Sequence, residues 1–244
     1  MTDDRRELTY DRVAYVYERT RPDYPPAILD ALPLDGDAAV LDLGAGTGKL
    51  TRVLAARYRE VTAVEPLPNM RAILQRVVPT AAALPGSAEE IPLEDASVDG
   101  VFAAQAFHWF DATAALPEIR RVLRPGGSLA LLWNKRDEAD PAQLLLAELT
   151  DPPERQAPRG WQLDIPAILG ESGLFDEVET FEFPHVQAID DEGFVDRLHS
   201  SSYVASLPPE RRSSLEAQLR ERLAELGSPH ALAFKTLLSI AQRR

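Results

Sequence analysis

Ala39-Val40-Leu41-Asp42-Leu43-Gly44-Ala45-Gly46-Thr47-Gly48 is the stretch that decides the fold. Its first five residues form a short apolar run of strand length, and glycine at three alternate positions then turns the chain sharply. Leu50, Val53, Leu54 and Arg57 follow at helical spacing. In the order strand, glycine turn, helix, such a turn holds a ligand, because glycine adopts positive φ and lets a ligand approach the backbone closely. The spacing is GxGxG, not the GxGxxG of dinucleotide-binding folds, and points to a nucleoside without a pyrophosphate. A tight strand-to-helix connection that binds nothing is the competing reading of the turn taken alone.

On either side of the turn the chain alternates strands with amphipathic helices. Val61–Glu65 reads as a second strand and Met70–Val77 as a second helix. Ala81–Leu84 is a weak third strand, Val98–Ala103 a fourth, and Ala114–Leu123 a helix broken by Arg124-Pro125-Gly126-Gly127. Ser128–Trp133 is a fifth strand. This beat predicts a doubly wound, mostly parallel sheet with right-handed crossovers. Beyond Asp140 it falters: helices are expected at Pro141–Leu149, Ile165–Glu171, Asp191–His199 and Pro209–Leu226, with strands at Val178–Phe183 and Ala233–Ala241. Before the first strand, Asp11–Arg19 is a helical candidate stopped by Pro22, and Pro25-Pro26 suits the first turn of a helix running to Leu32.

Composition narrows the class. The 244 residues, 45% hydrophobic and 27% charged, suit one substantial globular core. No apolar run reaches bilayer length, and the N-terminus lacks the apolar segment of a secretion signal, so no membrane association and a cytoplasmic location are expected. The chain has no cysteine, which excludes disulfides and thiolate chemistry. With 26 basic against 39 acidic residues the net charge is −13, which opposes nucleic-acid binding. His185, His199 and His230 are scattered without ligand spacing, so no metal is expected. Oligomeric state is not legible.

Three further features carry chemistry. Glu65 ends the second strand 17 residues after Gly48, where a carboxylate can accept both hydroxyls of a ribose. His108 and Trp109 lie just past the fourth strand's carboxyl end, where open α/β sheets place their ligands. His108 is a candidate base, with packing between aromatics as its alternative; Trp109, Trp133 and Trp161 either line an apolar pocket or fill the core, Trp109 being best placed for the pocket. Tyr203 and Ser200–Ser202 offer hydroxyls to a substrate or simply end a helix.

Taken together, the ordered motifs resemble those of class I S-adenosylmethionine (SAM)-dependent methyltransferases. Val40–Gly48 is similar to their first motif and Val64-Glu65-Pro66 to the second. Gly86-Ser87-Ala88-Glu89-Glu90-Ile91-Pro92-Leu93 resembles the third, which borders adenine. Val98–Trp109 resembles the fourth, and Leu123–Gly127 the later Pro-Gly-Gly turn. The resemblance covers roughly residues 38–134. Many relatives carry Asp where Ser87 stands; serine makes a weaker contact to the adenine amino group, and Glu89 is a second candidate. Arg21-Pro22-Asp23-Tyr24-Pro25 together with Gln105-Ala106-Phe107-His108-Trp109-Phe110 resembles the trans-aconitate methyltransferase-like, small-molecule subset.

By that resemblance the fold is a seven-stranded, Rossmann-like sheet with an antiparallel last strand. The chain is a single methyltransferase domain: residues 1–37 an N-terminal lid segment, 38–140 the SAM-binding core, and about 184–230 a helical cap inserted before the last strand. The resemblance implies SAM as cofactor and S-adenosylhomocysteine as product. Cofactor-binding candidates are Tyr17, Arg21, Gly44, Ala45, Gly46, Thr47, Gly48, Glu65, Pro66, Ser87, Ala88, Glu89, Gln105 and Ala106, with Tyr17 and Arg21 closing over the methionine end. Acceptor candidates are Tyr24, His108, Trp109, Trp133 and Tyr203, and His108 is the catalytic one. The expected reaction is methyl transfer to a small organic acceptor. A methyltransferase acting on RNA or protein, and a non-catalytic SAM-binding protein, are the alternatives.

Overall fold

The structure is a computed structural model that describes residues 18, 20–150, 162–227 and 230–244. Seven strands form one sheet: β1 (Ala39–Leu43), β2 (Glu60–Val64), β3 (Ala82–Leu84), β4 (Val98–Ala104), β5 (Leu123–Arg136), β6 (Glu179–Ile189) and β7 (His230–Gln242), in the order β3-β2-β1-β4-β5-β7-β6. The pairs β1–β2, β1–β4, β2–β3 and β4–β5 are parallel. Arg243 N–H donates to Gly127 O at one end of the β5–β7 pair and Asp137 N–H to Ala233 O at the other, so residue numbers run in opposite senses and β7 is antiparallel. The expected doubly wound, mostly parallel sheet is the fold observed. Strand order reverses between β1 and β4, the switch point at which such sheets leave a crevice.

The chain divides into two compact units. Of the described residues, the larger comprises 24–134, 162–183 and 236–244; the smaller comprises 18, 20–23, 135–150, 184–227 and 230–235. In the larger unit the central strands β1, β4 and β5 are buried on both faces. On one, Leu41, Leu43, Val101, Leu129 and Leu131 pack against α3 (Ala112–Val122) and α5 (Ile165–Ser172) through Leu116, Ile119, Val122, Ile165 and Leu169. On the other, Val40, Phe102, Ala130 and Leu132 pack against α1 (Lys49–Arg57) through Leu50 and Leu54. Neighbouring residues of a strand point to opposite faces, so the apolar runs in β1 and β5, broken in β1 by Asp42 alone, are what strands covered on both sides require. Each fully buried Leu, Ile or Val contributes about 1.5–3 kcal/mol. Ala45, Ala63 and Leu74 of α2 (Pro68–Val77) form a small cluster beneath the glycine turn.

The smaller unit has its own core. Leu145, Leu146 and Leu149 of α4 (Pro141–Thr150), Phe194 and Leu198 of α6 (Asp191–His199), Val204 of α7 (Ser202–Ser206), and Leu219 and Leu223 of α8 (Pro209–Leu226) close around Leu232 and Phe234. The Asp190 carboxylate accepts from Gly193 N–H (2.8 Å) and starts α6; Pro209 opens α8, and Gly227 at φ 75° ends it.

Three elements differ from expectation. The helix expected after Pro25 is a 3-10 helix, Pro26–Ala31. Arg124-Pro125-Gly126-Gly127 does not precede β5 but bulges within it: Val98 pairs with Leu123 and Gly100 with Ser128, so these four residues lie opposite Asp99 alone. Strand β6 runs past Pro184 to Ile189. A proline forfeits a ladder donor, but β6 is the last strand in the sheet and needs donors on one side only.

Candidate active site

The glycine turn is built by backbone hydrogen bonds to the neighbouring strand. Gly44 and Ala45 N–H both donate to Val64 O (2.9 and 3.1 Å), and Gly48 N–H donates to Ala45 O (3.0 Å). Gly44, Gly46 and Gly48 have φ of 70°, 57° and 92°, a region that side chains with a Cβ rarely adopt. Gly44 has a second reason to be glycine: a Cβ there would lie 2.7 Å from Ala106 Cβ. That close approach brings the β1 turn against the end of β4, across the switch point. A Cβ on Gly46 would meet nothing within 4 Å, so this part of the turn is open to a ligand.

Two carboxylates brace the turn. Glu65 is 5% exposed; its Oε2 accepts from Gly46 N–H (2.8 Å) and its Oε1 from Leu67 N–H (2.9 Å). Arg71 of α2 holds the Glu65 backbone carbonyl (2.7 Å). Each carboxylate oxygen of Glu65 is thus held by a backbone N–H, which fixes the side chain at the end of β2. Asp42, which sequence reasoning assigned no role, is buried beneath the turn and accepts from Thr51 Oγ1 (2.6 Å). Burial pushes its carboxyl up to about 7, the Thr51 hydrogen bond opposes that rise, and the Glu65 charge adds to it. Its sequence signal was a lone acid inside an apolar strand. Thr47 Oγ1 is buried and has no hydrogen-bond partner in the protein, so the turn offers a hydroxyl that a ligand could satisfy.

The segment after β3 reaches the same corner. Ala88 is buried, while Ser87 and Glu89 are partly exposed. Glu89 Oε1 accepts from Asp111 N–H (3.0 Å), which ties this segment to the residues following β4. Arg121 of α3 holds the next stretch by donating to Ile91 O (2.9 Å) and Leu93 O (2.8 Å). Beyond β4 the chain turns through Gln105, whose φ is 55°, into a short 3-10 turn, Phe107–Trp109. Phe107 is buried, His108 is exposed, and the His108 ring lies 4.9 Å from that of Trp109. Pro66 is exposed and its carbonyl accepts from Arg71 (3.2 Å).

The structure thus brings together, within the larger unit, Gly44–Gly48, Glu65, Pro66, Ser87–Glu89, Gln105, Ala106, His108 and Trp109. Tyr24 packs in the core with Ile28 and Leu29. Trp133, 2% exposed, packs in the core beside α3 and α5. Arg21 and Tyr203 belong to the smaller unit: Arg21 donates to Ser200 O (3.3 Å), and Tyr203 packs on that unit's core. Tyr17 and Trp161 lie outside the described residues. Among the described residues no group of three His, Cys, Asp or Glu could hold a metal, and no helix is long and apolar enough to cross a membrane.

A parallel sheet reversing at β1/β4, with a glycine turn and an acid at the next strand end, defines a class: a nucleoside-binding, doubly wound α/β protein. Residues 41–131 match the family model described as a methyltransferase domain. An uncharacterised methyltransferase of Mycobacterium tuberculosis is 38% identical over 237 residues, covering 92% of this chain and 90% of that protein. One from Schizosaccharomyces pombe is 37% identical over 213 residues, covering 84% and 83%. A methyltransferase structure from Anaeromyxobacter dehalogenans superposes with a TM-score of 0.64 at 27% identity, covering 92% of this chain and 97% of that one. The chain belongs to the class I SAM-dependent methyltransferases, and SAM is its methyl donor.

Proposed function

We propose that the enzyme methylates a small organic acceptor presented at His108 and Trp109. The observation that carries this reading is an exposed imidazole beside an indole, on a turn that the Ala106–Gly44 approach holds against the cofactor turn. Bound SAM supplies an electrophilic methyl group on a positively charged sulfur. Around it, Gly44–Thr47 give close backbone approach, Glu65 accepts from the ribose hydroxyls, and Ser87–Glu89 border the adenine. Trp109 offers an apolar wall to the acceptor. Methyl transfer is an in-line displacement that depends chiefly on alignment, which these fixed turns provide. Where the attacking atom carries a proton, His108 accepts it; the acceptor gains the methyl group, and S-adenosylhomocysteine leaves.

A net charge of −13 weighs against a nucleic-acid substrate. Part of the chain also resembles malonyl-[acyl-carrier protein] O-methyltransferases, one from Dechloromonas aromatica at 33% identity over 49% of this chain, which favours an oxygen nucleophile. Incubation with SAM and a panel of carboxylic acids, phenols, amines and indoles, read as S-adenosylhomocysteine formed, tests the proposal. At least one small acceptor is expected to turn over; turnover with RNA or protein and with none of the panel would contradict it. His108→Ala separates two chemistries. A phenol or alcohol is expected to lose about 100-fold in turnover. A carboxylate, already ionised, is expected to lose little.

A further inference from the structure

Gln105 is a non-glycine residue held at φ 55°, in a region that only a surrounding structure can impose on it. Its backbone N–H donates to Leu132 O (2.8 Å), and its side-chain Nε2 donates to Asn134 O (3.2 Å) at the carboxyl end of β5. Asn134 is fixed in turn: its Oδ1 accepts from Thr236 Oγ1 of β7 at 2.6 Å, with Asn134 6% exposed and Thr236 fully buried. The residue after β4 is thereby linked through Asn134 of β5 to the middle of β7. The next residue, Ala106, is the one whose Cβ occupies the space that glycine leaves at position 44. The backbone conformation of Gln105 therefore fixes how closely the Phe107–Trp109 turn can stand to the Gly44–Gly48 turn.

We propose that Gln105 is a positioning residue for the cofactor: tied through Asn134 and Thr236 to the carboxyl end of β5 and the middle of β7, it holds Ala106 against Gly44 and sets the cradle before SAM binds. Local strain is here accepted in exchange for a preorganised site, and removing it should separate stability from affinity. The inference rests on SAM binding alone and not on the acceptor proposed above, so its test needs no acceptor.

The variants are Gln105→Gly, which adopts the same φ without strain but has no amide, and Gln105→Asn, which tolerates that φ but is one methylene too short to reach Asn134 O. Calorimetric titration with S-adenosylhomocysteine is paired with thermal melting of the protein without added ligand. Gln105→Gly is expected to melt at or above the wild-type temperature yet bind about tenfold more weakly, and Gln105→Asn to bind at least fivefold more weakly. Binding by either variant within twofold of the wild type would overturn the proposal. So would a Gln105→Gly protein that melts well below the wild type, because the residue would then serve folding, not the cradle. A wild-type chain that binds no S-adenosylhomocysteine contradicts the cofactor assignment, and this inference with it.

Discussion

Asp42 is the residue whose chemistry departs furthest from that of a free side chain. Its carboxyl, buried beneath the glycine turn, stands at about 7 against 3.8 for the free group, chiefly through loss of solvent. An acid with a raised folded pKa binds its proton more tightly in the folded chain. Its contribution to stability is therefore complete below about pH 4 and is lost as the pH rises through 7. Asp42→Asn keeps an oxygen for the Thr51 hydroxyl but cannot ionise. Between pH 5 and pH 8, urea unfolding is expected to show the wild type losing about 3 kcal/mol relative to this variant. A difference that does not change with pH would show that Asp42 ionises normally. Residues at this scale were only partly legible in the sequence. Gly44, Gly46, Gly48 and Glu65 could be read because a turn and a strand-end acid have fixed spacing. Asp42 lay in plain view inside the first motif, but its role depends on burial and on Thr51. The Gln105–Asn134–Thr236 chain joins residues 105, 134 and 236, and only the folded sheet puts them together.

Among the elements, the β1–α1 connection is the most demanding. Its three glycines differ in what they require. Gly44 has positive φ and no room for a Cβ, whereas Gly46 has positive φ alone. Gly44→Ala is expected to cost about 2–4 kcal/mol from backbone strain and overpacking against Ala106. Gly46→Ala should cost about 1 kcal/mol of stability from strain alone, and unfolding midpoints check the order. Equal losses would mean that the Gly44–Ala106 approach does not constrain the turn. Boundaries of α6 and α8 were readable because Asp190, Pro209 and Gly227 are end signals whose effect is local. The bulge in β5 was not, since Pro125-Gly126-Gly127 reads as a break wherever pairing partners are unknown. The extent of β6 depended on its edge position, which no local pattern reports.

For the whole molecule, the alternation of strands and helices was enough to give the fold class, because covering a parallel sheet on both faces leaves few topologies. The separate core of the smaller unit was less legible. Its members come from α4, α6, α7, α8 and β7, far apart in sequence, and no spacing rule links them. The acidic balance of 39 to 26 acts at this scale too, shaping which partners approach without affecting the fold. The central claim is that a SAM-family nucleoside binds at the Gly44–Gly48 turn with Glu65 on its ribose. Its most direct measurement is a calorimetric titration of S-adenosylhomocysteine into wild-type and Glu65→Ala protein. One site per chain is expected, weakened in the variant by about 1–3 kcal/mol through lost charged hydrogen bonds. No binding to the wild type, or equal binding to both proteins, would contradict it.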